Sequence, residues 1–173
     1  MFNSAFTSEA LQGALPVLMN EFPLAVWETV YVTILATAFA IVIGLPLGVL
    51  LVAGDKNGVL PLPKGLMHVL GVIINLLRSV PFLILMIIVI PLSRAIVGTS
   101  IGTVASIVPL VIASFPFVSR LVETSMREVD AGVIEAAQSM GATPLQIITK
   151  VMVPESMPSL VANVTIAATT IMG

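Results

Sequence analysis

The amino-acid sequence predicts an all-α integral membrane protein, a polytopic helical bundle with one short helical elbow outside the bilayer. Three observations carry this. Of 173 residues, 58% are hydrophobic and only 9% are charged, whereas soluble domains carry roughly 25% charged residues. Lipid, not water, must therefore cover much of the surface. Long uncharged runs recur, near the ~20 apolar residues that cross a bilayer. The remaining charge is concentrated at 54–65 and 120–155, where it separates those runs.

Residues 1–25 read as an N-terminal external or interfacial segment, in which Thr7 or Ser8 caps a short helix to about Met19. Its first residues hold no Lys or Arg, so the basic n-region of a signal peptide is missing and the first span is its own insertion signal. That span covers 26–53 and is uncharged from Thr29 to Val52. Trp27 and Tyr31 at its start suit the headgroup layer, and Glu28 beside them reads as interfacial. Gly44, Pro46 and Gly48 predict either a kink or a close helix contact.

A loop follows at 54–65 with Lys56 and Lys64, then an interfacial helix at 66–77. In one straight helix from 66 to 97, Arg78 would lie about 18 Å from its start. An unpaired arginine at that depth costs at least several kcal/mol. Arg78 is therefore placed at the membrane boundary, snorkelling or meeting the elbow, and the second span runs 78–97 with Pro81 in its first turn. The third span, 103–122, holds Pro109 and Pro116, each of which frees a backbone carbonyl. Ser106, Ser114 and Ser119 are available to satisfy them, so this helix should face protein or a polar path. Residues 159–173 begin a fourth, incomplete span. Ser114, Asn163, Thr165 and Thr169 are candidate pathway-lining residues, with helix-packing hydroxyls an equal alternative.

Residues 123–158 hold the densest charge and lie outside the bilayer, with the elbow itself at 135–158. Asp130 is placed to cap a helix at 131–140, and Gly141 falls where a helix needs a left-handed residue. Thr143 caps the next helix, with Pro144 at its first position and Gln146 completing a capping box. Pro154 and Pro158 are expected to stop it, and Leu145, Ile148 and Met152 to face the spans. Ala136 and Ala137 would let a helix settle into a partner's groove; Glu135 would bond the groove's rim or remain a solvated charge. Lys56, Lys64, Arg120, Arg127 and Lys150 lie on one side of the bundle against Arg94 on the other. The positive-inside rule then makes the elbow cytoplasmic and the N-terminus external.

The chemistry available is narrow. With no cysteine and a lone histidine, His68, there is no metal site to assemble and no catalytic constellation, so an enzyme is excluded. No P-loop is present, so ATP hydrolysis would need another chain. An ion-coupled secondary transporter would need midplane ionisable residues, and none stands out.

The elbow's spacing is E-A-A-x3-G-x9-V-x-V-P, on Glu135, Ala136, Ala137, Gly141, Val151, Val153 and Pro154. It resembles the EAA motif of the membrane subunits of bacterial ATP-binding-cassette importers, usually EAA-x3-G-x9-I-x-L-P, with two valines as mild departures. Residues 75–102, 107–123 and 134–161 are similar to the methionine-importer permeases, and the resemblance covers about 26–173. It implies a type I importer transmembrane domain with about four of five family spans present. It also implies a multi-pass protein of the bacterial inner membrane that translocates methionine or a close amino acid by alternating access. The implied partners are a second copy of the chain, two cytoplasmic ATPase subunits that bind ATP and Mg, and an external substrate-binding lipoprotein. Nucleic acid is not among them, and the chain itself holds no cofactor or metal. Glu135, Ala136, Ala137, Gly141, Pro144 and Pro154 would be the ATPase-coupling residues. A permease for another small amino acid or peptide is the alternative, with a secondary transporter behind it. Pairing of copies is also expected physically, because four or five helices do not easily enclose a path for an amino acid.

Overall fold

A computed structural model describes residues 21–60 and 62–172; the helix expected at 7–19 lies outside them. The described residues form helices and turns, with no strand among them. The helices are α1 (Phe22–Ala53), α2 (Lys64–Ser79), α3 (Phe82–Val97), α4 (Thr103–Arg127), α5 (Ala131–Ser139) and α6 (Pro144–Met172). By length and apolarity α1, α4 and α6 can each cross a membrane, whereas α2 and α3 pass the same test only when taken together as a bent pair.

α1 and α4 run side by side in the same direction. At their starts the Thr103 hydroxyl donates to Glu28 Oε2 at 2.9 Å. Further along, Ala36, Ala40, Gly44 and Gly48 form a buried line at four-residue spacing. A Cβ on Gly44 would come 2.8 Å from Val118 Cβ, and one on Gly48 would come 2.6 Å from the Ser119 carbonyl oxygen. Small residues let backbones approach this closely. Of the two readings of Gly44, Pro46 and Gly48, the close contact is present, and α1 continues unbroken through Pro46.

α2 and α3 meet at a bend of 113°. Val80 is extended, the conformation that a following proline imposes, and Pro81 is the N-cap of α3. The second span thus starts at Phe82, not at Arg78. Arg78 and Ser79 instead close α2, and Pro81 stands one place before the first turn.

α3 returns antiparallel to α4 through a turn in which Gly98 and Gly102 both have positive φ. α4 remains helical through Pro109 and Pro116. The carbonyl freed by Pro109 is that of Ala105, and it accepts from Ser93 Oγ of α3 at 3.2 Å. The expected donors do otherwise: Ser106 bonds back to Thr103 O and Ser119 to Phe115 O. α4 also extends five residues past the expected 122, so its end carries Glu123 and Arg127.

Neither Pro154 nor Pro158 stops the last helix, which runs 29 residues from Pro144 to Met172. A π-helical turn, Ile148–Met152, ends two residues before Pro154. There the ring would otherwise press on the Lys150 carbonyl, and a widened turn absorbs such a clash. The fourth span therefore has a regular α-helical stretch of 20 residues, Val153–Met172, rather than a fragment beginning at 159. It packs antiparallel to α4, with Asn163 Nδ2 donating to Ser125 Oγ at 2.7 Å. One apolar core, including Ala40, Val118, Val122, Met126, Met152 and Leu160, continues from the spans into the elbow at Ala137 and Ile147.

Candidate functional site: the elbow and its charged belt

Local chemistry shapes the elbow residue by residue. Asp130 Oδ1 accepts from the Gly132 amide at 2.7 Å and starts α5. At the other end Gly141, with φ +79, turns the chain, and the Ala142 amide donates to Ala137 O at 3.1 Å. The capping box is complete: the Gln146 amide donates to Thr143 Oγ1 at 3.4 Å and the Thr143 amide donates to Gln146 Oε1 at 2.9 Å.

Packing separates the two alanines. Ala137 is 4% exposed and packs in the chain's own core, whereas Glu135 and Ala136 face outward. Only Ala136 is thus available to a partner's groove, and Ala137 seats the elbow on the bundle. The expected inward stripe also changes. Leu145 is 70% exposed, Ile148 is half-buried, and Ile147 takes the inward place above Met152. The π-helical turn explains the shift, because its five-residue step joins Ile147 to Met152 and puts Leu145 out of phase. Beyond it Ser156 and Leu160 continue the buried line. On the outer side Val133, Met140 (82% exposed) and Leu145 are exposed apolar side chains of the elbow, and Glu135, Ala136 and Pro144 are exposed as well. Gly141 and Pro154 lie at the surface as well.

Behind the elbow a polar belt joins three elements. Arg120 of α4 donates through Nη2 to Asn75 Oδ1 of α2 at 2.8 Å and pairs through Nη1 with Glu123. Its Nε is buried without a hydrogen-bond partner among the described residues. Arg127 Nη2 reaches Glu123 Oε1 at 3.0 Å and Asp55 Oδ2 at 3.2 Å, in the loop after α1. The Lys56 amide, donating to Asp55 Oδ1 at 2.8 Å, and then Arg127 hold the Asp55 carboxyl below its usual range. Asp55 and Arg127 also border a cavity of about 470 Å3 that reaches Ile134 of α5 and Met152 of α6. Glu123 lies three and four residues from the two arginines, a spacing that foreshadows the pairs. The links to Asn75 and Asp55 span 45 and 72 residues and have no local signal.

The polar candidates in the spans have separate settings. Ser114 is buried beside a cavity of about 450 Å3 with Phe82, Phe117 and Thr170 between α3, α4 and α6. Asn163 bonds to α4, at Ser125 Oγ and Leu121 O. Thr165 and Thr169 bond back onto their own helix. Arg78 is exposed in the last turn of α2. Among the described residues no group of three potential metal ligands exists.

Residues 44–173 match the family described as binding-protein-dependent transport system inner membrane component. The chain belongs to this family. As an inner membrane component it is similar to the probable D-methionine transport system permease protein MetI of Vibrio cholerae, 51% identical over 85% of this chain and 65% of the relative. The D-methionine transport system permease protein MetI of Escherichia coli K12 is 46% identical over 86% of this chain and 68% of its own length. The chain thus spans about two thirds of the relatives it matches. A solved structure of the MetNI methionine ABC transporter in inward-facing conformations has a chain that superposes with a TM-score of 0.82 at 45% identity. That match covers 86% of this chain and 68% of the other. The inner membrane component therefore has the helical transmembrane fold of an ABC transporter, and its relatives are named as permeases.

Proposed function

We propose that this chain is the permease subunit of an ATP-driven importer that carries methionine, or a close amino acid, across the bacterial inner membrane by alternating access. The single observation that carries the reading is the outer face of the elbow. Val133, Met140 and Leu145 are exposed there together with Ala136 and Glu135, while Ala137, Ile147 and Met152 tie the same elbow into the bundle core. An apolar patch on a charged, non-membrane segment suits a protein partner. An elbow seated in the core through Ala137, Ile147 and Met152 passes movement of that partner into α4 and α6.

In this reading 26–173 is the transmembrane domain and 123–158 its coupling region. Glu135, Ala136 and Pro144 meet the ATPase, while Ala137, Gly141 and Pro154 shape what it meets. Two cytoplasmic ATPase subunits bind ATP and Mg, a second copy of the permease completes the path, and an external lipoprotein delivers substrate. The N-terminus is external and the elbow cytoplasmic, because basic residues collect on the elbow side. Methionine is favoured over other amino acids by the relatives' names alone. The test uses the full-length protein in proteoliposomes with its ATPase. Uptake of methionine that requires both ATP and the ATPase is expected, and uptake that persists without either overturns the reading.

A further inference from the structure

α2 differs from the other long helices in direction and in the pattern of its faces. The 113° bend sets it across the axis of α3, so with α3 upright in the bilayer α2 lies close to the membrane plane. At 3.6 residues per turn, Lys64, His68, Asn75 and Arg78 share one side. Leu66, Val69, Ile73 and Leu76 share another, and every one of these four is about half exposed or more. The third side turns to the protein, where Ile74 is only 1% exposed. α2 contains no Asp or Glu. Lys64, His68 and Arg78 are exposed, and none forms an ion pair among the described residues.

We propose that α2 is a headgroup-binding surface helix, with Lys64, His68 and Arg78 holding anionic phospholipid headgroups and Leu66, Val69, Ile73 and Leu76 seated at the acyl boundary. An apolar face beside a basic one, in a helix parallel to the membrane, is the arrangement that binds anionic bilayers. Uncompensated positive charge selects an anionic surface over a neutral one. Asn75 lies on the same basic side and accepts from Arg120. Headgroup attachment is thereby linked to the Glu123–Arg127–Asp55 belt behind the elbow.

Each basic residue near an anionic surface is worth about fivefold in attachment. The test reads amide hydrogen exchange over 64–79 in the full-length protein, in nanodiscs of phosphatidylcholine alone and of equal parts phosphatidylcholine and phosphatidylglycerol. Exchange in α2 should be several-fold slower in the anionic discs. Lys64→Gln with Arg78→Gln should abolish that difference while exchange in α5 stays unchanged, and Lys64→Arg with Arg78→Lys should retain it. Equal exchange in the two discs overturns the proposal, as does a difference that survives the double Gln variant. Slowing that requires the ATPase subunit, whatever the lipid, overturns it too and gives the face to a protein partner. None of these readouts depends on transport, so failure of the importer reading is seen separately.

Discussion

Ser93 of α3 donates its hydroxyl, at 3.2 Å, to the carbonyl of Ala105 that Pro109 deprives of its helical partner. In a bilayer an unsatisfied carbonyl has no water to turn to. The bond also fixes how α3 packs on α4. Ser93→Ala should therefore destabilise the bundle by about 1 kcal/mol, within the usual cost of a buried unsatisfied acceptor and near measured interhelical values in membranes. Pro109→Ala restores an amide to that carbonyl, so Ser93→Ala should cost less in the Pro109→Ala background. Unfolding of the four proteins in mixed micelles measures the cycle; equal costs in both backgrounds would remove Ser93 from this role.

A second prediction concerns two glycines in comparable helices. At Gly48 a Cβ would lie 2.6 Å from both Ser119 O and Val122 Cβ, whereas at Gly71 it would meet nothing within 4 Å. Gly48→Ala must push α1 away from α4 and should cost about 1–3 kcal/mol, as overpacking does. Gly71→Ala should instead stabilise α2 by about 0.5–1 kcal/mol through reduced backbone entropy. Thermal unfolding should thus move in opposite directions for the same substitution.

Local punctuation in the elbow was readable from residue identities. Asp130, Gly141, Thr143 and Gln146 act through partners at most five residues away, so short-range chemistry decides them. The four-span bundle was likewise visible in the apolar runs, and a break near Arg78 followed from its desolvation cost. What failed depended on tertiary context. A proline stops an isolated helix, but a π-helical turn before Pro154 let α6 continue, and that same turn exchanged Leu145 for Ile147 on the inward side. The apolar pattern around the elbow does not record which of Ala136 and Ala137 meets the core. Nor could spacing reveal Ser93 as the donor for Pro109, or Arg120 as the partner of Asn75, since both pairs come from different helices.

The Asp55 carboxyl, held below its usual range by the Lys56 amide and by Arg127, gives a signed pH dependence. Because the folded-state pKa is depressed, its stabilising contribution is complete above the unfolded value of about 3.9. It is lost as pH falls through the lower folded value. Asp55→Asn should therefore be less stable than the parent by a constant amount from pH 5 to 8. The gap should close on acidification below about pH 4. Asp55 is well exposed, so the gap will be small. Chemical unfolding of both proteins across this range checks it; a gap that widens on acidification would contradict the pairing.

The two alanines of the motif offer the sharpest separation of folding from coupling. Ala137 is 4% exposed within a core that also contains Ile147 and Met152, and Ala136 beside it is exposed. Ala137→Leu adds volume to a filled site and should cost about 1–3 kcal/mol, with faster hydrogen exchange across 131–152 even when no ATPase is present. Ala136→Leu changes an exposed position outside the core cluster and should leave stability and exchange unchanged. It should nevertheless weaken ATPase binding by about tenfold or more if the outer face fits a groove closely, since 1.4 kcal/mol of lost fit has that effect. Binding of the purified ATPase to each full-length variant in nanodiscs, measured beside its thermal stability, distinguishes the two. If Ala136→Leu bound the ATPase normally, the docking face would have to lie elsewhere on the elbow. If Ala137→Leu kept both its stability and its exchange pattern, the seating of the elbow on the bundle core would be wrong.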